Sequence, residues 1–234
     1  MEKQKNKFIS ICIPAYEMNG KGAKYLKRLL QTIQRQKHQD YEVIVSDHSE
    51  NEYILETILS FKDKRIKHYF NKNKKGSSSA NINNAIEKAS YEKIKPMFQD
   101  DFFVNENALD VIVKALDDCN WGASACIHYH DESKQYFSEH QPGWNDNIKI
   151  GANSIGAPSV CFFNKSDLRF DENLIWFMDT DFYYRSYLKF GKPKIIQEIL
   201  IANCLHENSI THSVVTDEIK AKEYQIIVQK YDSK

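Results

Sequence analysis

The sequence predicts an α/β fold in which a mainly parallel central sheet is flanked by helices and followed by a mixed region. Three observations carry this. Compact, β-rich apolar runs alternate with segments of helical periodicity through the first hundred residues, and the connections between them are short. One of these runs, residues 94–98, ends in the adjacent carboxylates of Phe98-Gln99-Asp100-Asp101-Phe102. Alternating strands and helices call for parallel pairing with helices on both faces. The carboxyl edge of such a sheet is where these folds present ligand-binding groups.

Residues 8–13 form the first strand, a β-rich apolar run stopped by Pro14. Leu26, Leu29, Leu30 and Ile33 recur at helical spacing and give an amphipathic helix over 24–36. Val43, Ile44 and Val45 mark a second strand over 42–46, and Ile54, Leu55, Ile58 and Leu59 a second helix. A short third strand covers 66–70. After the loop at 74–79, residues 80–89 read as a helix, and 94–98 as the strand that ends in the carboxylates. Leu109, Ile112, Val113 and Leu116 supply another helix face. The second half is less regular, with strands near 123–129, 160–163 and 195–205 and a helix over 180–190. The tail, 213–234, carries Ile219, Tyr224, Ile226, Ile227 and Val228, and reads either as a docking helix or as a contact between copies.

At 234 residues the chain can hold one large domain with a substantial core. No linker, low-complexity tract or repeat divides it, so a single domain over 1–234 is expected. Lysine plus arginine and aspartate plus glutamate are equal at 32 each, which gives no polyanion-binding surface and argues against nucleic acid. The basic stretch 72–75 is short and reads as a solvated loop. No apolar stretch approaches the ~20 residues needed to span a bilayer, and the polar start leads into a run too short for a signal peptide. The five cysteines (Cys12, Cys119, Cys126, Cys161, Cys204) lack Cys-x-x-Cys spacing. Reduced thiols in a cytoplasmic protein are the simplest expectation.

Two adjacent anions repel each other unless a cation joins them. Mg²⁺ and Mn²⁺ prefer oxygen ligands and bridge carboxylates to phosphate oxygens, so the pair at 100–101 reads as a metal–diphosphate site. The usual backbone cradles for phosphate are missing. The first strand runs into Pro14-Ala15-Tyr16-Glu17, Gly20 and Gly22 come late, and Tyr25 stands where a third glycine should be. His128 and His130 share one face of a strand but have no third ligand at zinc-site spacing.

Taken together, these segments resemble the inverting glycosyltransferases of family 2. The run from Phe8 through Pro14 to Tyr16 is similar to that family's opening strand and Pro-x-Tyr turn. Residues 41–49 resemble its second strand and acidic loop, and 76–86, with Asn83, its Gly-x-Ser…Asn helix entry. Gln99-Asp100-Asp101 resembles its Asp-x-Asp-type motif, and residues 155–159 and 178–185 its later landmarks. The likeness covers roughly residues 8–211.

It implies the GT-A fold, with a nucleotide-binding half to about residue 104 and an acceptor-binding half to about 212. Pro14 and Tyr16 would wall the base pocket, with Glu17 beside them, Asp47 would accept from the base N–H, and Asn83 would complete the nucleotide side. Asp100 would hold the ribose and Asp101 the cation, Mn²⁺ or Mg²⁺, with His206 joining it as in some relatives. Asp179 would be the catalytic base, kept ionised by a helix N-terminus, while Asp181 pairs with Arg185 four residues on. Of the aromatics Trp144, Trp176 and Phe177, Trp176 is the one close enough to Asp179 to face an acceptor sugar. His48 stands where the family has a small residue and reads as exposed loop. Gln99, Met178 and Asn164 depart from the family pattern.

The implied reaction is metal-dependent, inverting transfer of a sugar from a nucleoside diphosphate sugar, UDP-linked, to a glycan or other hydroxyl acceptor. The processive members' Gln-x-x-Arg-Trp signature is missing, so one or few sugars are expected on a soluble or membrane-peripheral acceptor. A silent nucleotide-sugar or glycan-binding domain of the same fold is the alternative, favoured by the three departures. A sugar nucleotidyltransferase would begin with a Gly-rich, basic loop that residues 14–17 do not supply.

Overall fold

A computed structural model describes residues 7–207 and 214–231. Residues 208–211 of the late histidine segment, and 213 and 232–234 of the tail, lie outside that description. The described residues build a nine-stranded sheet in the order β3-β2-β1-β4-β8-β6-β9-β5, with β7 paired to β6. Its first half is the parallel layer expected: β1 (Ile9–Ala15), β2 (Tyr41–Asp47), β3 (Ile66–Phe70) and β4 (Lys93–Pro96) pair in parallel. β1 and β2 are buried along their whole length, which explains why they read as continuous rather than alternating apolar runs.

The helices between them are α1 (Gly22–Gln34), α2 (Tyr53–Ser60) and α3 (Ser78–Lys88). Leu26, Leu29, Leu30 and Ile33 of α1 and Ile82, Ala85 and Ile86 of α3 all reach the core. α3 begins with a side-chain cap, Ser77 Oγ accepting from Ala80 N, the arrangement that satisfies a free amide at a helix start.

The second half makes the sheet mixed. β8 (Cys161–Asn164) runs antiparallel to β4 and β6 (Trp121–His130), while β9 (Lys194–Leu205) lies parallel to β6. Two strands were not legible from pattern. β5 (Phe102–Phe103) has two residues, and β7 (Gln135–His140) is exposed along nearly its whole length, so neither shows alternation. α4 (Ala108–Ala115) and α5 (Met178–Phe190) complete the layer. Trp121 is buried at its centre, stacked on Tyr183, and Trp144 stacks on Tyr187. Trp144 therefore packs among aromatics.

The tail forms α6 (Asp217–Tyr231), which buries Glu223, Ile227 and Tyr231 at successive fourth positions and docks on its own chain. Lys230 bonds Asp171 at 2.9 Å and Asp181 at 2.6 Å, and the Tyr231 hydroxyl donates to Asp181. Of the apolar residues read on this helix, Ile227 is buried against the chain itself and Tyr224 is exposed. Asp181 also makes its expected pair with Arg185. The five cysteines are free, and burial pushes Cys126 up to about 11 and Cys161 and Cys204 up to about 12, leaving them protonated at neutral pH. No helix among the described residues is long and apolar enough to cross a membrane.

Candidate active site

The carboxyl ends of β1 and β4 and the start of α5 open on one cavity of about 500 Å³. Parallel register puts Ala15 beside Asp47, so the turns that follow β1 and β2 leave the sheet together. Pro14, Tyr16 and Glu17 come to the cavity from the first turn, Asp100 and Asp101 from the loop after β4, and Trp176 and Asp179 from α5 and its approach. Seven of the ten residues singled out in the sequence thus meet at one place, though two segments lie roughly eighty residues apart from the next.

The Tyr16 turn is held by a residue that looked like a departure. Gln99 accepts from Tyr16 N at 2.7 Å and donates to Tyr16 O at 2.8 Å, so its neutral amide does what a carboxylate could do only by half. Burial, with Asp100 and Glu17 nearby, pushes the Tyr16 phenol up to about 12. Beyond it, Met18, Asn19 and Gly20 all have positive φ, a strained path of the kind that clusters at ligand sites. Gly22 opens α1 against this turn, where a Cβ would stand 2.0 Å from Tyr16 O. Gly22→Ala is therefore expected to displace the Tyr16 backbone, lowering stability by about 1–3 kcal/mol. Thermal unfolding and calorimetric UDP binding should both register the change.

The two members of the acidic pair have different surroundings. Asp101 is buried, and its Oδ1 accepts from Asn203 Nδ2 at 2.9 Å and Cys204 N at 2.8 Å. Burial first, then the charge of Asp100, raises it to about 7. This carboxylate ties the loop to β9 through one oxygen while bordering the cavity beside Asp100. Asp100 is the more exposed member, with Oδ2 2.9 Å from His206 Nε2. His206 has no exposed side-chain surface and stacks on Tyr25 at 4.7 Å, so it backs Asp100 from below the cavity wall.

Two nucleotide-side residues also sit elsewhere. Asn83 donates to Phe170 O and Glu172 Oε1 and accepts from Phe170 N, so both ends of its amide pin the 170 segment. Asn81 borders the cavity instead, joined to Ala15 O at 3.0 Å and Ser46 Oγ at 2.6 Å. Asp47 borders a neighbouring depression of about 430 Å³ that shares Glu50 with the main cavity. Its oxygens are engaged by Ser49 N at 2.8 Å and His68 Nε2 at 2.9 Å. His48 is buried rather than exposed, lines the main cavity, and faces Asn73 O. Lys95 is wholly buried behind the acidic loop, donating to the carbonyls of Pro96, Ser159 and Cys161, and burial brings it down to about 7.

Asp179 lies in the first turn of α5, where Oδ2 accepts from Asn153 Nδ2 at 2.7 Å and Oδ1 from Thr180 N at 2.6 Å. The helix entrance was expected to keep it ionised. Burial outweighs these donors and raises it to about 7. The remaining departures have local roles. Asn164 closes the end of α4 through Leu116 O and Cys119 O, and Met178 receives the hydroxyls of Ser78 and Ser79 at its sulfur.

An α/β sheet ending in a buried acidic loop beside a carboxylate-led helix defines a GT-A glycosyltransferase fold, and solved structures agree. The chain superposes on the S. aureus TarS 1-349 structure in complex with UDP-GlcNAc with a TM-score of 0.74 at 17% identity, covering 96% of this chain and 66% of that one. It matches the mannosyltransferase PcManGT of Pyrobaculum calidifontis, in complex with GDP-Man and Mn²⁺, at 0.60 and 16%, covering 85% and 56%. The chain thus spans just under two thirds of the first and little more than half of the second. No curated protein is similar enough in sequence to count as a match. Residues 10–166 match Glycosyl transferase family 2, and the chain belongs to that family.

Proposed function

We propose that the protein transfers a single sugar from a UDP-linked donor to an acceptor hydroxyl, with inversion at the anomeric carbon and with a divalent cation. The observation that carries this is the sign of the cavity. Glu17, Glu50, Asp100, Asp101 and Asp179 border it, and no lysine or arginine does among the described residues. A nucleoside diphosphate entering such a site needs a positive partner. Asp100, oriented by His206, would hold it. One accessible carboxylate suits Mg²⁺ or Mn²⁺, which take their other oxygens from water and substrate phosphate. Among the described residues no cluster of three or more His, Cys, Asp or Glu side chains forms an all-protein cage, in keeping with a cation that arrives with the donor. Among the described residues the His206 Nδ1 is buried without a partner, so the contact of its Nε2 with Asp100 is what fixes the ring. Such a cation supplies charge stabilisation for the departing diphosphate. The Mn²⁺ in the mannosyltransferase complex supports the metal, and the higher similarity to the UDP-GlcNAc complex supports uridine.

Asp179 takes the proton from the acceptor hydroxyl as its oxygen bonds to the anomeric carbon. The carbon–oxygen bond to the diphosphate breaks on the opposite face, and UDP leaves with that electron pair. Trp176 offers the acceptor a flat apolar wall next to the base. Calorimetry with UDP and Mn²⁺, beside a donor-hydrolysis and transfer assay, tests the reading. Binding without turnover by any nucleotide sugar would instead make this a silent binding domain.

The base must be deprotonated to act. With Asp179 raised to about 7 by burial, kcat/KM is expected to climb about tenfold per pH unit on the acid side of neutrality and level off above it. A profile already flat from pH 5 upward would contradict this assignment.

A further inference from the structure

The C-terminal helix reaches the base through one side chain. Glu223 is 4% exposed, and its carboxylate collects three consecutive amides. Oε1 accepts from Ile175 N at 2.7 Å, and Oε2 from Trp176 N at 2.9 Å and Phe177 N at 3.0 Å. These residues lead straight into α5, whose first turn carries Asp179. Amides at a helix entrance lack an intrahelical acceptor, and charge-assisted bonds are about twice as strong as neutral ones. α5 has no side-chain cap of its own, since Phe177 holds that position. Ile175 and Trp176 border the cavity together with Asp179. The far end of α6 is fixed independently, through Lys230 and Tyr231.

We propose that Glu223 is a positioning residue for glycosyl transfer, fixing segment 175–177 and so placing Trp176 and Asp179 against the acceptor while adding a negative charge near the base. The inference rests on Asp179 as that base. Asp179 is faced by Asn153 from the preceding loop, by Thr180 and Tyr183 of its own helix and by Glu223 of α6. Glu17, His48, Glu50, Asp100 and Asp101 border the same cavity, and Lys220 lies over the Trp176 ring at 5.4 Å. The Glu223 charge acts on Asp179 in the same direction as burial, so its removal moves the Asp179 midpoint to lower pH.

The test titrates the Asp179 side-chain carboxyl by ¹³C NMR in the full chain, its signal identified by loss in Asp179→Asn. Wild type, Glu223→Gln and Lys230→Ala are compared, with transfer kinetics and Mn²⁺–UDP calorimetry alongside. Glu223→Gln should lower the midpoint by ~0.3 pH unit or more and kcat by about tenfold or more, with UDP affinity nearly unchanged. Lys230→Ala loosens the same helix at its other end and should lower the melting temperature while leaving midpoint and kcat in place. An unmoved midpoint and kcat in Glu223→Gln, or equal changes in Lys230→Ala, would overturn the proposal. Should Glu223→Gln not fold, Glu223→Asp carries the test. A lower kcat with faster hydrogen exchange at amides 175–177 supports the proposal, and parental values of both overturn it. Failure of the wild type to transfer any sugar would remove the glycosyl-transfer reading, while the NMR titration would still decide the role of Glu223.

Discussion

Asp179→Asn is expected to lower the transfer rate by about 10²–10⁴-fold, the usual worth of general-base assistance, while donor affinity stays close to that of the parent. The substitution is isosteric, and its carbonyl oxygen can still accept from Thr180 N, which now lies 2.6 Å from Oδ1. Asn153, which donates to Oδ2 at 2.7 Å, must turn its own amide to meet the new NH₂ group. A partly buried carboxylate raised to about 7 by desolvation is replaced by a neutral amide, so the melting temperature should hold or rise. Single-turnover transfer with the parent's best donor, alongside UDP calorimetry, separates the two effects. Undiminished transfer would remove Asp179 from the chemistry and leave the proton to another group in the cavity.

The second large effect distinguishes the adjacent acids, and the two variants should fail in different ways. Asp100→Ala removes the carboxylate that borders the cavity with one oxygen committed to His206. Mn²⁺-dependent UDP binding should weaken by at least about tenfold, the lower bound for losing a group at a metal site, and transfer should fall with it. Loss of the partner of the buried His206 Nε2 should also lower stability by about 1–3 kcal/mol. Asp101→Ala strips the acceptor from Asn203 Nδ2 and Cys204 N. Each buried donor left unpaired costs about 1–3 kcal/mol, so this variant should unfold at markedly lower temperature. Asp101→Asn keeps an acceptor oxygen for both donors and should recover most of that stability. Chelation of divalent ions should reproduce the Asp100→Ala phenotype in the wild type. If Asp101→Asn instead abolished Mn²⁺-dependent binding while Asp100→Ala left it intact, the cation would belong to Asp101 after all.

The parallel half of the fold was legible because β1, β2 and α1 bury uniform apolar faces that leave a clear period in the sequence. Pro14, Tyr16, Asp100 and Asp179 were named through the family resemblance, and each lies near a strand end or a helix start. What pattern could not decide was which neighbour of a pair faces the ligand. Asp100 and Asp101 differ only in what lies behind them, His206 in one case and the end of β9 in the other. Asn83 was named on resemblance, and Asn81 was not. Ser78 and Asn81, three residues apart, share a helix face, and both border the cavity. That spacing was a signal available in the sequence. Glu223 left none, because a glutamate on an amphipathic helix looks like solvated surface until its three amide partners are known. A helix entrance can be recognised from sequence, whereas the desolvation that raises Asp179 to about 7 cannot.

The bond between Asp101 and Cys204 spans 103 positions, and that span has a bearing on how the chain acquires its shape during synthesis. Everything that the parallel layer needs to pair is present once residue 96 has left the ribosome. The floor beneath the acidic loop arrives only with the final strand. Long-range closures of this kind are slow, and domains emerging N-terminal end first pass through incomplete states. A nascent chain can therefore own a paired parallel layer and still lack a pocket, so truncation shortly before residue 203 should abolish UDP binding in calorimetry.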